Sequence, residues 1–154
     1  MIDPELVGQE LGSVRFPVER SKLYELARAL HDDDAAWHDP DAAAAAGFDG
    51  VPLPPTATVL ADHWRADGAL APALALGADL GRLLHGEAAW EHLRPVALGE
   101  ELRATTRVVD VTTREGRRGG TMTLATIATD FVAPDGEVAI RRTDTLIETG
   151  EAAA

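Results

Sequence analysis

Between His31 and His38 the chain reads His-Asp-Asp-Asp-Ala-Ala-Trp-His, which places two imidazoles and three carboxylates within eight residues. A carboxylate and an imidazole around one water are apparatus for moving a proton to or from a reacting group. The segment offers Asp32 with His38 or His31 for that work, and Asp34 as a positioning acceptor. Oxygen and nitrogen donors at short spacing also suit a divalent ion. The segment lacks the alternating ligands, central glycine and distant glutamate of a calcium loop, and no His pair stands at zincin spacing, so no metal is expected. A structural reading stands beside the chemical one: Asp side chains in a polar loop accept from nearby backbone N–H groups and cap the next helix.

The elements around this segment follow from spacing. Leu23, Leu26, Ala27 and Leu30 recur at helical intervals, which predicts a helix over 22–30 with Ser21 as its N-cap. Asp and Pro40 then make 31–40 a loop, and the alanine-rich run 41–46 suits one or two helical turns closed by Gly47. Three prolines between Gly50 and Thr56 dictate an extended approach. The unbroken, mostly apolar run Thr56 to Trp64 predicts a buried helix. Pro72, Gly77 and Gly81 turn 69–84 into a covering loop with short helical turns. The last third is dense in Thr, Val, Ile and Leu and predicts strands over 86–94, 101–112, 120–132 and 137–148. Leu102, Ala104, Thr106 and Val108 alternate with outward neighbours, as do Ala125, Ile127, Thr129 and Phe131. Helices first and strands afterwards give an α+β fold with a helix on one face of an antiparallel sheet.

Composition narrows the function. The 154 residues contain no cysteine, so no disulfide, thiol nucleophile or thiolate metal site is available. A formal charge of −12 opposes nucleic acid and anionic lipid. No run approaches the roughly 20 apolar residues of a membrane span, and Met1-Ile-Asp-Pro-Glu lacks the basic and apolar regions of a signal peptide. A single cytoplasmic domain over 1–154, with a flexible tail at 150–154, is expected.

The order of an N-terminal helix, an Asp-rich loop, a Pro-Pro-Thr entry to a buried helix, then Leu84-His85-Gly86-Glu87, Arg94-Pro95 and three long strands resembles the MaoC-like hot-dog family. It is most similar to the N-terminal, FAS1-like dehydratase type, which includes subunits of mycobacterial hydroxyacyl dehydratases and of heteromeric enoyl-CoA hydratases. The likeness runs from about Gly8 to Thr149. It implies a sheet wrapped around the helix near 56–64, side-by-side pairing with an identical or a second hot-dog subunit, an acyl chain carried on coenzyme A or acyl carrier protein, and no cofactor. It also implies an (R)-specific enoyl-thioester hydratase or 3-hydroxyacyl-thioester dehydratase.

The family's hydratases carry a loop of the form Gly-Asp-x-Asn-Pro-x-His, with the Asp and His as the catalytic pair. Laid on this chain, the Asp falls on Asp32, the Gly on His31, the Asn on Asp34, the Pro on Ala35 and the His on Trp37, with His38 one residue late. The resemblance therefore implies either a subunit that binds the acyl group beside a catalytic partner, or a self-sufficient enzyme with a shifted histidine. A thioesterase using Asp32, Asp34 or Glu87, and an acyl-CoA-binding protein without turnover, are the remaining alternatives. Thr56 or Ala57, following Pro55, is the implied N–H donor to a thioester oxygen. Trp37, Pro55, Thr56, Ala57, His85 and Gly86 complete the implied acyl-binding set, with His85 facing the acyl tunnel or fixing the covering loop. Trp90 and His92 share a side of their strand, which suits packing, and core or dimer contact is expected of His63 and Trp64. Arg94, Arg103, Arg107, Arg114, Arg117, Arg118, Arg141 and Arg142 are either a phosphate-binding cluster at the tunnel mouth or scattered surface charge.

Overall fold

The computed structural model describes residues 2–115 and 120–150. Eight main elements follow one another: β1 (Glu10–Pro17), α1 (Arg20–Ala29), α2 (Pro40–Ala45), α3 (Ala71–Ala75), β2 (Leu83–His92), β3 (Glu101–Glu115), β4 (Thr121–Val132) and β5 (Val138–Glu148). Short 3-10 helices occupy Pro4–Leu6, Ala35–Trp37 and Ala57–Trp64. The five strands form one antiparallel sheet in the order β1-β3-β4-β5-β2. This is the α+β hot-dog arrangement that the resemblance implies.

The alternation read in the last third of the chain sets the sheet's inner face. Leu102, Ala104, Thr106 and Val108 on β3 are buried, as are Ala125, Ile127, Thr129 and Phe131 on β4. Phe16 of β1 meets Phe131 edge-on at 5.7 Å and Trp64 at 5.1 Å between ring centroids. Around this trio gathers one apolar cluster with Leu23, Ala57, Ala61 and Ile140, while Leu11, Leu76, Val108, Ile127 and Leu146 form a second.

The helix expected over 56–64 is present at 57–64 but wound as a 3-10 helix. Pro54 and Pro55 supply no N–H, and Ala57 N–H donates to Pro54 O at 3.0 Å and Val59 N–H to Thr56 O at 3.1 Å, a three-residue step from the outset. β-branched Thr56, Thr58 and Val59 further disfavour the wider turn. With three residues per turn, Thr58, Ala61 and Trp64 share a face; Thr58 and Ala61 are buried and Trp64 packs against the first cluster. His63 is exposed, so of the pair only Trp64 is a core residue.

Other differences have local causes. β1 is absent from the elements that spacing predicts, because Gly12 at φ +110° carries a bulge that leaves two residues, not one, between buried Leu11 and half-buried Val14. Helix α1 starts behind Glu19 rather than Ser21, with no side-chain cap. Pro40 opens α2 instead of breaking it, and Asp39 caps it. The covering loop contains α3, and β2 begins at Leu83, three residues ahead of the expected 86. The expected turn at 117–120 and tail at 150–154 lie outside the described residues apart from Gly120 and Gly150.

Truncation of Phe131 to Ala is expected to lower stability by about 3–5 kcal/mol in urea unfolding, because the fully buried ring packs on Phe16 of β1 within the first cluster. Val109, the extra residue of a bulge in β3 and 51% exposed, is the control; its change to Ala is expected to stay within about 0.5 kcal/mol.

Candidate functional site

Helix α1 ends at Ala29 with Leu30 as its C-cap, and the chain reverses through His31 and Asp32. His31 N–H donates to Arg28 O at 3.2 Å and Asp32 N–H to Ala27 O at 2.9 Å, the paired bonds of a Schellman ending. That ending requires a left-handed residue, and His31 takes it at φ 54°. The family's glycine at this position has its physical reason here: only glycine adopts such a φ without penalty.

Both oxygens of Asp32 are then engaged. Oδ1 accepts from Asp34 N–H at 3.1 Å and Oδ2 from the Trp37 indole Nε1–H at 2.8 Å. Asp34 Oδ1 accepts from Ala36 N–H at 2.9 Å and starts the 3-10 helix Ala35–Trp37. Asp39 caps α2 through Asp41 and Ala42 N–H, and those amides hold its carboxyl below the usual carboxylate range. The capping reading describes Asp34 and Asp39 well.

His38 sets its ring edge-on to Tyr24 at 5.6 Å between centroids, and its carbonyl accepts from Arg20 Nη1 at 3.0 Å. His31, Asp32 and His38 do share an open cleft of about 370 Å³ with Tyr24, Arg28 and Asp33. Neither histidine bonds to Asp32; the indole stands where the family's imidazole would. Among the described residues no three His, Asp or Glu side chains are grouped for a metal ion, and no helix is long and apolar enough to cross a membrane.

A second constellation lies on the sheet's inner face. Burial on β5 alternates through Ile140, Arg142, Asp144, Leu146 and Glu148, so two charged side chains stand between apolar ones. Arg142 Nε donates to Asp144 Oδ2 at 2.8 Å, while Nη1 and Nη2 reach Asp62 Oδ2 and Oδ1 at 2.9 and 3.0 Å. Burial works against the Arg142 charge, but Asp62 and Asp144 outweigh it and raise its pKa above the ordinary value. His85 Nε2 lies 3.0 Å from Asp144 Oδ1. These groups line a cleft of about 290 Å³ with Leu70, Pro72, Leu84, Ile127 and Leu146.

Gly86 makes this possible. The register of β2 against β5 slips between His85 and Glu87, so His85 pairs with Leu146 and Trp90 with Arg142. One inserted residue flips the parity of a strand. His85, Trp90 and His92 are thereby opposite inward residues on β5, although 85 and 90 differ by an odd number. A Cβ on Gly86 would come within 2.7 Å of Ile147 Cδ1 and 3.3 Å of Thr145 O, which favours glycine at the bulge on packing grounds.

The remaining expected positions divide in the same way. Trp90 Nε1–H donates to Thr58 Oγ1 at 2.9 Å, and His92 Nε2–H donates to Pro55 O at 3.0 Å, so both hold the 3-10 helix to the sheet. Ala57 N–H is committed to Pro54 O, leaving Thr56 as the candidate oxyanion donor. The arginines do not form one cluster. Arg141 makes a two-pronged pair with Asp130, Arg94 pairs with Glu100 and Arg107 with Glu10, while Arg103 donates to Ser13 Oγ. Arg142 is buried, and Arg117 and Arg118 lie outside the described residues. What the motif reading missed is the Asp62–Arg142–Asp144 group, whose signal is the parity of β5: residues in step with Ile140 and Leu146 face inward.

Residues 5–142 match the family model described as the FAS1-like, dehydratase domain region. A UPF0336 protein of Saccharopolyspora erythraea is 32% identical over 152 residues, covering 98% of this chain and 94% of that protein. Another, from Streptomyces griseus, is 35% identical over 116 residues, 75% of this chain and 77% of that protein. Among solved structures, the truncated HadBC (3R-hydroxyacyl-ACP dehydratase) complex of Mycobacterium tuberculosis superposes with a TM-score of 0.72 at 25% identity, covering 92% of this chain and 96% of that one. The (R)-hydratase of A. caviae, at 20% identity, 91% and 94% coverage and a TM-score of 0.61, shares the fold.

The left-handed turn supplies a direct check on the loop. His31→Val is expected to lower stability by about 1–2 kcal/mol, the cost of a β-branched residue in that conformation, and His31→Gly is expected not to. Thermal or urea unfolding of the two variants beside the parent reads the difference.

Proposed function

This chain belongs to the FAS1-like dehydratase family, and we propose that it is the acyl-binding subunit of an (R)-specific enoyl-thioester hydratase or 3-hydroxyacyl-thioester dehydratase, with the catalytic Asp–His pair supplied by a second hot-dog subunit. The observation that carries this reading is the Trp37–Asp32 hydrogen bond of 2.8 Å. An Asp–His pair that deprotonates water needs an imidazole beside the carboxylate to share in the proton transfer. Asp32 instead meets an indole, which only donates and takes no proton, while its other oxygen accepts from the Asp34 amide. The loop has become a fold element.

The substrate is an acyl group on coenzyme A or acyl carrier protein. Support comes from an apolar cleft on the sheet's inner face beside the 3-10 helix. The partner is a second hot-dog chain; β2, at one edge of the sheet, has an unpaired side available for it. A homodimeric hydratase using Asp32 with His38 or His31 is the second reading, favoured by the cleft these three side chains share.

Hydration of crotonyl-CoA and of a longer enoyl-CoA by the purified chain, followed by loss of enoyl absorbance, separates the two. The expected outcome is no turnover above that of Asp32→Asn, with turnover appearing when a hot-dog partner with an intact Asp-x4-His loop is added. Turnover by the chain alone that is lost in both Asp32→Asn and His38→Ala would establish the second reading and overturn the first.

A further inference from the structure

The loop-centred chemistry leaves His85, Asp144, Arg142 and Asp62 unused, yet they form a connected polar group in an otherwise apolar cleft. Arg142 and Asp144 are only 6% and 7% exposed, and Asp62 is partly buried. Holding such charges out of water is costly, and packing alone would be served by apolar residues of similar volume. Two carboxylates face one guanidinium, so the group carries an uncompensated negative charge, and the ring that meets it is His85. An ionised carboxylate only accepts, so the proton shared by His85 and Asp144 belongs on Nε2. The tautomer is fixed, and Nδ1 has no protein partner among the described residues. The His85 side chain is 55% exposed at the cleft, open to a ligand.

Leu70, Pro72, Ala73, Leu84, Ile127 and Leu146 supply the rest of the wall. At about 290 Å³ the cleft stands at the small end of the range of ligand sites. We propose, resting on the acyl-thioester reading above, that this cleft seats a short hydroxyacyl chain and that His85 Nδ1 hydrogen-bonds its hydroxyl. A hydroxyl both donates and accepts, so it satisfies Nδ1 whether the ring is neutral or protonated, whereas a carbonyl satisfies only the protonated ring. His85 is thus a specificity residue that distinguishes the hydroxylated acyl group from the saturated one. Asp144 is its positioning residue, and the two-pronged contact of Arg142 with Asp62 anchors Asp144 to the 3-10 helix.

Calorimetric titration of the full chain with (R)-3-hydroxybutyryl-CoA and butyryl-CoA tests this. The wild-type chain is expected to bind the hydroxy ester about tenfold more tightly, the scale of one well-formed hydrogen bond. His85→Phe is expected to erase that preference, so that the two esters bind alike, and His85→Asn to restore part of it. Leu70→Glu, at a 58% exposed wall position, is expected to weaken both esters. Thermal melting of each variant confirms that it is folded. Binding of both esters without a hydroxyl preference, a preference that survives His85→Phe, or binding indifferent to Leu70→Glu would overturn the inference and leave the acyl-thioester reading standing. Binding of neither ester by the wild-type chain would overturn that reading and the inference with it.

Discussion

The buried Arg142 guanidinium constrains the rest of the molecule. Placed on the inner face of β5, it must be met by carboxylates or it would leave an unpaired charge in the core. Asp144 is two residues away on the same strand and the same face; Asp62 comes from the 3-10 helix and is fixed only when that helix lies across the sheet. The ion group therefore ties the central helix to the strands at a chosen register, which apolar contacts alone specify weakly. It extends a polar row across the sheet, since Thr106 lies opposite Thr129 and Thr129 opposite Arg142. The two threonine hydroxyls bond each other at 2.9 Å. This row separates the two apolar clusters, and no buried side-chain nitrogen or oxygen among the described residues lacks a partner.

The bulge at Gly86 serves the same constraint from the other side. Without it, inward-facing Trp90 and His92 would require His85 to point outward, and Asp144 would lose its second partner. With it, β2 holds the 3-10 helix at one end through Trp90 and His92 and meets Asp144 at the other through His85. A single residue without a side chain thus sets which of the strand's polar groups reach the interior.

Regular alternation makes β3 and β4 legible in the sequence with their inner faces residue by residue, and composition makes β5 legible in its extent. Legibility failed where an inserted residue or a proline changes the period. Gly12 hides β1, Gly86 hides the facing of His85, and Pro54 with Pro55 converts an expected helix into the tighter 3-10 form. The polar group on the inner face was within reach of the same parity argument that identified the core. Considering Arg141 and Arg142 together as strand arginines obscures that neighbours on a strand face opposite ways: Arg141 pairs with Asp130 at the surface and Arg142 is buried. The 31–38 loop was legible in its composition but not in its bonding, because three carboxylates in a row leave open which one caps, which one holds the indole and which one faces solvent.

That bonding sets the relation between the loop and the sheet. A left-handed residue must end α1, so Asp32 always emerges from the Schellman turn with its carboxylate beside the residues that follow. Whichever side chain stands five positions later decides what the carboxylate does. An imidazole there would share a water with it and leave the pair chemically open; the indole of Trp37 has one N–H and no lone pair, so it can only donate, and the pair closes. The Trp37–Asp32 bond links the turn that ends α1 to the segment that leads into α2. On the sheet, the Asp144–His85 pair has the opposite character: a carboxylate fixed by Arg142, an imidazole that retains a second nitrogen, and an apolar cleft in front of it. The chain's capacity for polar recognition is therefore concentrated on the inner face of the sheet, where a carboxylate–imidazole pair stands among apolar walls.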